Sequence, residues 1–211
     1  MSWTIPKSGG GKAEKAPAGN HLAILVGLID MGRQWQEPFN ATKDKGYWAW
    51  RAYFVWELTE ERIAGTGTNH VIAIDLSHST NEKSKLRKWV EARTGRPLVE
   101  PFDPTTELGQ ACLLNVVMKG DYPRVEGMAA LPKGFAVPRP TYPVTAVSLA
   151  EFRAGTPVPE WVPYLFGSPL EDHIRACEQI GGQRPRSRKK AEPASVEGGY
   201  EEYSDAADVP F

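Results

Sequence analysis

The chain has 211 residues, of which 41% are hydrophobic, and its 25 Lys and Arg nearly balance 26 Asp and Glu for a formal net charge of -1. That length supports one good hydrophobic core and is too short for two large domains once the polar ends are set aside. The cysteines Cys112 and Cys177 stand far apart with no CxxC or Cys/His spacing, which argues against a disulfide framework or a zinc site and for a reducing cytoplasm. No stretch approaches the roughly 18 apolar residues of a membrane span, and the opening MSWTIPKSGGGK lacks the apolar run of a signal peptide, so no membrane partner is expected.

Residues 1–18 are mostly Gly, Lys, Ala and Pro and read as a flexible arm. Residues 21–31 (HLAILVGLIDM) form a near-continuous apolar run, the pattern of a first strand buried on both faces. Residues 32–46 are polar and turn-rich, a long first loop that carries Trp35, Lys43 and Lys45. Over residues 47–58 the pattern alternates with period two: Trp48, Trp50, Phe54, Trp56 and Leu58 fall on one face, and Tyr47, Arg51, Tyr53, Val55 and Glu57 on the other. A GTGTN turn then leads to a third strand over residues 70–76.

The period changes over residues 79–94, where Ser79 and Glu82 have the spacing of a capping box, Leu86, Trp89 and Val90 make an apolar stripe, and Gly95 and Pro97 stop the helix. Residues 111–118 and 125–131 flank the loop KGDYPR and predict a hairpin of strands four and five. Three strands, a helix and two strands is the order of the OB-fold, a five-stranded Greek-key barrel that holds oligonucleotides on strands two and three and in the loops 1-2 and 4-5. The expected fold is therefore all-β: an OB barrel over 19–137, followed over 138–182 by an extended proline segment and short helices. Those helices are expected at 160–166 and 168–180, with Trp161, Leu165, Phe166 and Ile174 packing on the barrel. The tail 183–211 reads as disordered, basic at RPRSRKK (184–190) and then acidic from 200 onwards.

Catalytic readings fail for lack of parts. The four histidines are scattered, HExxH and GxSxG are missing, and SGGGK at 8–12 has neither Walker spacing nor a preceding strand. Asp75 and His78 have neither a nucleophile nor a metal partner beside them, so they read as turn residues. No enzyme and no cofactor are expected.

Binding chemistry is better supplied. Sequence-tolerant capture of single strands needs aromatic faces for bases and cations for phosphates. Strand two offers Tyr47, Arg51 and Tyr53 on its polar face, the first loop Trp35, Lys43 and Lys45, and the loop between strands four and five Lys119, Tyr122 and Arg124. The tryptophans of strand two share the core-facing side, with the alternative that a local flip turns Trp48 and Trp50 into the stacking platform and Tyr47 inward. At the C-terminal tip, Asp208, Val209, Pro210 and Phe211 join an anion to an aromatic ring, a pair that a basic pocket with an apolar floor can capture.

The ending ADVPF resembles the acidic tips with which bacterial single-stranded-DNA-binding proteins dock onto genome-maintenance enzymes. The body, in LVGLIDMG, VWEL, SKLRKWVEARTGRPL, LGQACLLNVVMK, LPKG and VPEWV between about 22 and 165, resembles a family of small phage-encoded OB-fold single-strand binders of replication modules. This resemblance implies a DNA-binding barrel that protects single strands in replication, recombination or repair. It implies host or phage replication and repair proteins as partners of the tip, and leaves homo-oligomers open without implying the bacterial tetramer. The alternatives from other classes are a barrel that docks proteins and an RNA-binding module.

Overall fold

The computed structural model describes residues 14–37 and 45–182. The apolar run and the alternating aromatic stretch form the two longest strands, β1 (Gly19–Gln36) and β2 (Tyr47–Arg62), paired as an antiparallel hairpin. β1 outruns its apolar stretch because Arg33, Gln34, Trp35 and Gln36 continue the ladder opposite Trp50, Ala49, Trp48 and Tyr47. Trp35 is thus a strand residue, not a loop residue. The register shifts between Leu25 and Gly27 and between Asp30 and Gly32, two irregularities of the kind that bend and twist a long strand. At the second, Gly32 has a φ of 67° and donates its N–H to Asp30 Oδ1 at 2.8 Å, while a Cβ there would lie 2.9 Å from Cys177 Sγ. Only glycine meets both demands.

β3 (Asn69–Ser77) pairs with β2, β4 (Ala111–Lys119) with β1, and β5 (Tyr122–Ala129) with β4, all antiparallel. β4 follows β1 only as far as Ile24, and beyond that point the same edge of β1 takes β6 (Thr145–Val147) in parallel, opposite residues 27–29. The sheet therefore has six strands rather than five, in the order β3-β2-β1-β4-β5 with β6 beside β1, and among the described residues no ladder closes it between β3 and β5. The molecule is mostly β with few helices, and the expected order of three strands, helix and two strands holds. The two open edges nevertheless approach each other, with helix α1 (Lys85–Thr94) against both.

α1 starts later than the sequence suggests. Asn81 Oδ1 accepts from the Lys83 N–H and the Asn81 carbonyl from the Ser84 N–H, which holds residues 81–84 in a turn, and Ser84 rather than Ser79 caps the helix through the Arg87 N–H at 3.2 Å. Its stripe of Leu86, Trp89 and Val90 is buried as expected, and Gly95 ends it in the left-handed conformation. Together with Leu25, Leu28, Phe54, Trp56 and Leu76 this stripe forms the inner core.

The opposite, outer face of β1 and β2 is buried as well. Ile29, Met31, Tyr53 and Val55 pack under residues of the C-terminal segment, among them Val147, Val162, Leu165 and Ile174. This second core explains why the run in β1 is apolar on both sides. The segment holds α2 (Leu149–Arg153), α3 (Leu170–Arg175) and a one-turn 3-10 helix, Glu178–Ile180. The helix expected at 160–166 does not form: Pro163 supplies no N–H, and Leu165 and Ser168 instead bond to each other across a tight turn. Phe166 at that turn is 75% exposed rather than packed on the sheet. The helix expected at 168–180 breaks at Cys177, which turns extended and is fully buried, with its Sγ beside Gly32. α2 and β6 went unread, although Ser148 and Glu151 form a complete capping box.

Part of the N-terminal arm is also fastened. Ala16 is buried in the inner core, Glu14 accepts from the Ala64 N–H at 2.9 Å, and Lys15 Nζ donates to the Asp121 carbonyl. Residues 1–13 and the tail 183–211 lie outside the described residues. Among the described residues no helix is long and apolar enough to cross a membrane.

Glu57 joins the two halves of the chain. Its carboxylate is fully buried on β2 and accepts from Asn69 Nδ2 at 2.6 Å, the Thr141 N–H at 2.9 Å, Thr141 Oγ1 at 2.7 Å and the Tyr142 N–H at 3.1 Å. These contacts supply the four hydrogen bonds that two carboxylate oxygens can take. Glu57→Gln puts an NH2 donor against donors and should destabilise the fold by about 1–3 kcal/mol. A urea melt should show a lower midpoint with an unchanged slope, and an unchanged midpoint would mean that residues 141–142 are not held by this carboxylate.

Candidate nucleic-acid interface

The far end of the β1–β2 hairpin carries the richest aromatic group. Trp35 and Trp48 are cross-strand partners whose rings meet edge to face at 5.6 Å, an arrangement that stabilises paired strands. Trp35 Nε1 donates to Glu37 Oε1 at 3.2 Å. The returning loop backbone crosses Trp35 so closely that a Cβ on Gly46 would lie 2.3 Å from its Cζ2, which makes glycine a condition of this packing.

Trp50, opposite Arg33, is 46% exposed, whereas Trp56 on the same side of the strand is 3% exposed. The difference comes from what lies against each ring. Trp56 stacks on Phe54 and meets Trp89 of α1 edge-on at 5.7 Å, and Trp50 stands past the end of that packing. Exposure of Trp50 therefore needs no local flip, and Tyr47 remains outward on the opposite face at 61% exposure, with exposed Lys45 two residues before it. Arg33 pairs with Glu178 at 2.7 Å, and the Trp50 carbonyl accepts from the His78 N–H at 2.9 Å.

Two residues expected in the groove are placed otherwise. Tyr53 is 2% exposed beneath the C-terminal segment and donates its hydroxyl to the Tyr164 carbonyl at 3.3 Å, so it presents no face to a base. Burial, and after it the Asp75 carboxylate, push its phenol well above the usual range. Arg51 is not a free cation: Nε donates to Asp75 Oδ2 at 3.1 Å and Nη2 to both the Asp75 carbonyl and Oδ2. Asp75 is accordingly a strand residue and an ion-pair partner, not a turn residue.

At the β4–β5 hairpin the turn is only Gly120 and Asp121, so Tyr122 and Arg124 stand on β5 rather than in a loop. Tyr122 is 64% exposed with Lys15 Nζ 4.8 Å above its ring centre. Lys119 lies 3.6 Å from Glu126, and exposed Arg124 has no ion-pair partner among the described residues. Lys43 and the tip Asp208, Val209, Pro210 and Phe211 lie outside the described residues.

The expected site thus divides into an aromatic group of Trp35, Trp48, Trp50, Tyr47 and Lys45 and a basic group of Lys119, Tyr122 and Arg124. Lys15 carries no expectation from the sequence, and Trp50 is exposed without the strand flip that its exposure was expected to need. A lysine in a Gly/Ala/Pro arm carries no signal of its destination, and strand parity does not say where a neighbouring helix ends. No family model matches the chain, and neither a curated protein nor a solved structure matches it.

Tyr53→Phe should lower stability by about 1 kcal/mol through the lost bond to Tyr164 and leave oligo-dT affinity unchanged. A loss of affinity at wild-type stability would return Tyr53 to the binding surface.

Proposed function

We propose that this protein binds single-stranded DNA without sequence preference, on an OB-type sheet whose aromatic station is the end of the β1–β2 hairpin. The observation that carries this reading is Trp50, a half-exposed indole beside the Trp35–Trp48 pair, on the hairpin end that also carries the exposed Tyr47 and, just before it, Lys45. An indole left in water at the end of a ladder is costly surface for a fold that buries Trp56 and Trp89 so fully. Bases stack on such faces regardless of sequence, because every base has a π-face. The strand, helix and strand order and the approach of β3 to β5 support the OB-type assignment.

Oligo-dT should bind in the nanomolar-to-micromolar range, duplex of the same length much more weakly, and affinity should fall as salt rises because counterions are released. Trp fluorescence should quench on binding, and Trp50→Ala should cost about 1–3 kcal/mol of affinity. Equal affinity for duplex overturns the single-strand reading, and preference for poly-U over poly-dT turns it into an RNA-binding one.

The second half of the proposal is that residues 208–211 recruit replication or repair enzymes, a reading supported by the sequence of the tip. Deleting Phe211 leaves every acidic side chain in place and should abolish capture of such an enzyme from bacterial lysate. Recovery of the same enzymes with and without Phe211 would reduce the tip to a solubilising tail.

A protein-docking role has one observation in its favour. Phe166 has a φ of 51°, a conformation that bulky residues avoid, and it exposes its ring beside the exposed Tyr164. Phe166→Asn relieves that strain, and loss of a partner together with a gain in stability would favour the docking role.

A further inference from the structure

We propose that the single strand crosses the protein along the seam between β3 and β5, with phosphates on Lys85, Lys119 and Arg124 and a base on Tyr122. It does not run over the outer face of β1 and β2. This inference rests on the single-strand reading and adds a route to it.

The outer face is closed by its own chain. Tyr53 and Val55 are buried under the C-terminal segment, and Glu57 is consumed by Thr141 and Tyr142. The middle of β2 consequently has no side chain to offer a base on that side. At the seam no ladder joins the two edges among the described residues, and the cover is the single helix α1, which lies against both.

Cations gather along the seam. Lys85, the first residue of α1, reaches across to the Val125 carbonyl of β5 at 3.5 Å and places Nζ 4.8 Å over the Trp89 ring. Its pKa is lowered, first by burial; the Glu126 carboxylate acts next and in the opposite sense, Lys119 and then Arg124 repel it, and Asp75 adds a weaker attraction. Lys119 already has Glu126 beside it, but Lys85 touches only a carbonyl and a ring and Arg124 has no ion-pair partner among the described residues, so a phosphate between them would meet two cations that no carboxylate contacts. Lys15 adds a fourth charge above Tyr122, the most exposed ring of this group.

The seam also leads to the tryptophans. His78, just past the end of β3, donates its N–H to the Trp50 carbonyl, and Arg51 beside Trp50 is paired with Asp75 of β3, the strand that forms one edge of the seam. A strand stacked on Trp50 thus passes His78, reaches Lys85 and Arg124, and leaves over Tyr122.

The test is the salt dependence of oligo-dT binding to the full chain and three variants: Arg124→Gln, Lys85→Gln combined with Arg124→Gln, and Arg175→Gln. Arg124 is exposed and safe to change, whereas Arg175 lies on the C-terminal segment that covers the outer face. Each lost phosphate contact should reduce the slope of log K against log salt by about 0.7. The double variant should therefore lose about 1.4 with roughly tenfold weaker binding at low salt, and Arg175→Gln should match the wild type. A wild type that fails to bind oligo-dT overturns the single-strand reading itself. Binding by the wild type, with Arg124→Gln and the double variant unchanged in slope and affinity, overturns the seam route alone, as does a slope that falls only in Arg175→Gln.

Discussion

A buried carboxylate must find hydrogen-bond donors, and in this fold Glu57 finds them in Asn69 of the next strand and in Thr141 and Tyr142, far away in sequence. Most of the architecture can be read outward from that requirement. The donors lie at the N-terminal end of β3 and in the proline-rich strap that follows β5, so satisfying Glu57 fixes the strap against β2. Once the strap is fixed, the chain that follows has β1 within reach, and β6 takes the edge of β1 that β4 vacates. The α2 and α3 segment then lies over the remaining apolar surface of β1 and β2. A carboxylate is better suited to this junction than a hydrophobic residue, because it leaves the backbone N–H groups of Thr141 and Tyr142 paired and fixes the strap in one position.

The same fastening decides which surfaces remain for a ligand. With both faces of β1 and β2 covered, recognition chemistry is confined to the ends of the hairpins and to the edges of the sheet. Trp50 and Tyr47 are exposed at the overhang of β1 and β2, and Tyr122 and Arg124 lie at the start of β5. A net charge near zero is compatible with this arrangement, since several acids are paired with cations of the fold. Asp75 is paired with Arg51, Glu107 with Arg93, Glu178 with Arg33 and Glu91 with Arg87, while Lys45 and Arg124 have no acidic partner among the described residues.

Local periodicity made much of the sheet legible. The alternation in β2 and the two-sided apolar run in β1 follow from pairing geometry, which acts over a few residues. What a strand face meets beyond the sheet is a non-local matter, and there the sequence was silent. Tyr47 and Tyr53 share a parity, yet one is exposed and the other lies under a segment about a hundred residues away in the chain. Trp50 and Trp56 share the other parity and differ only in whether α1 reaches them. Capping signals were equally ambiguous: Ser79 and Glu82 have the same spacing as Ser148 and Glu151, but the bonds around Asn81 form a turn at the first site while the second closes a true box.

The open seam has its own physical logic. Two sheet edges that approach without pairing leave backbone groups in need of partners, and exposed edges invite association with other chains. Here α1 supplies part of the cover through Leu86, Trp89 and Val90, and Lys85 gives a side-chain donor to the Val125 carbonyl of β5. A lysine used in this way is a compromise. Its head is partly desolvated, and the Glu126 carboxylate, which acts on it more strongly than either Lys119 or Arg124, offsets their repulsion. On the route proposed above, a phosphate would pair with Lys85 and Arg124 and leave the apolar stripe of α1 undisturbed.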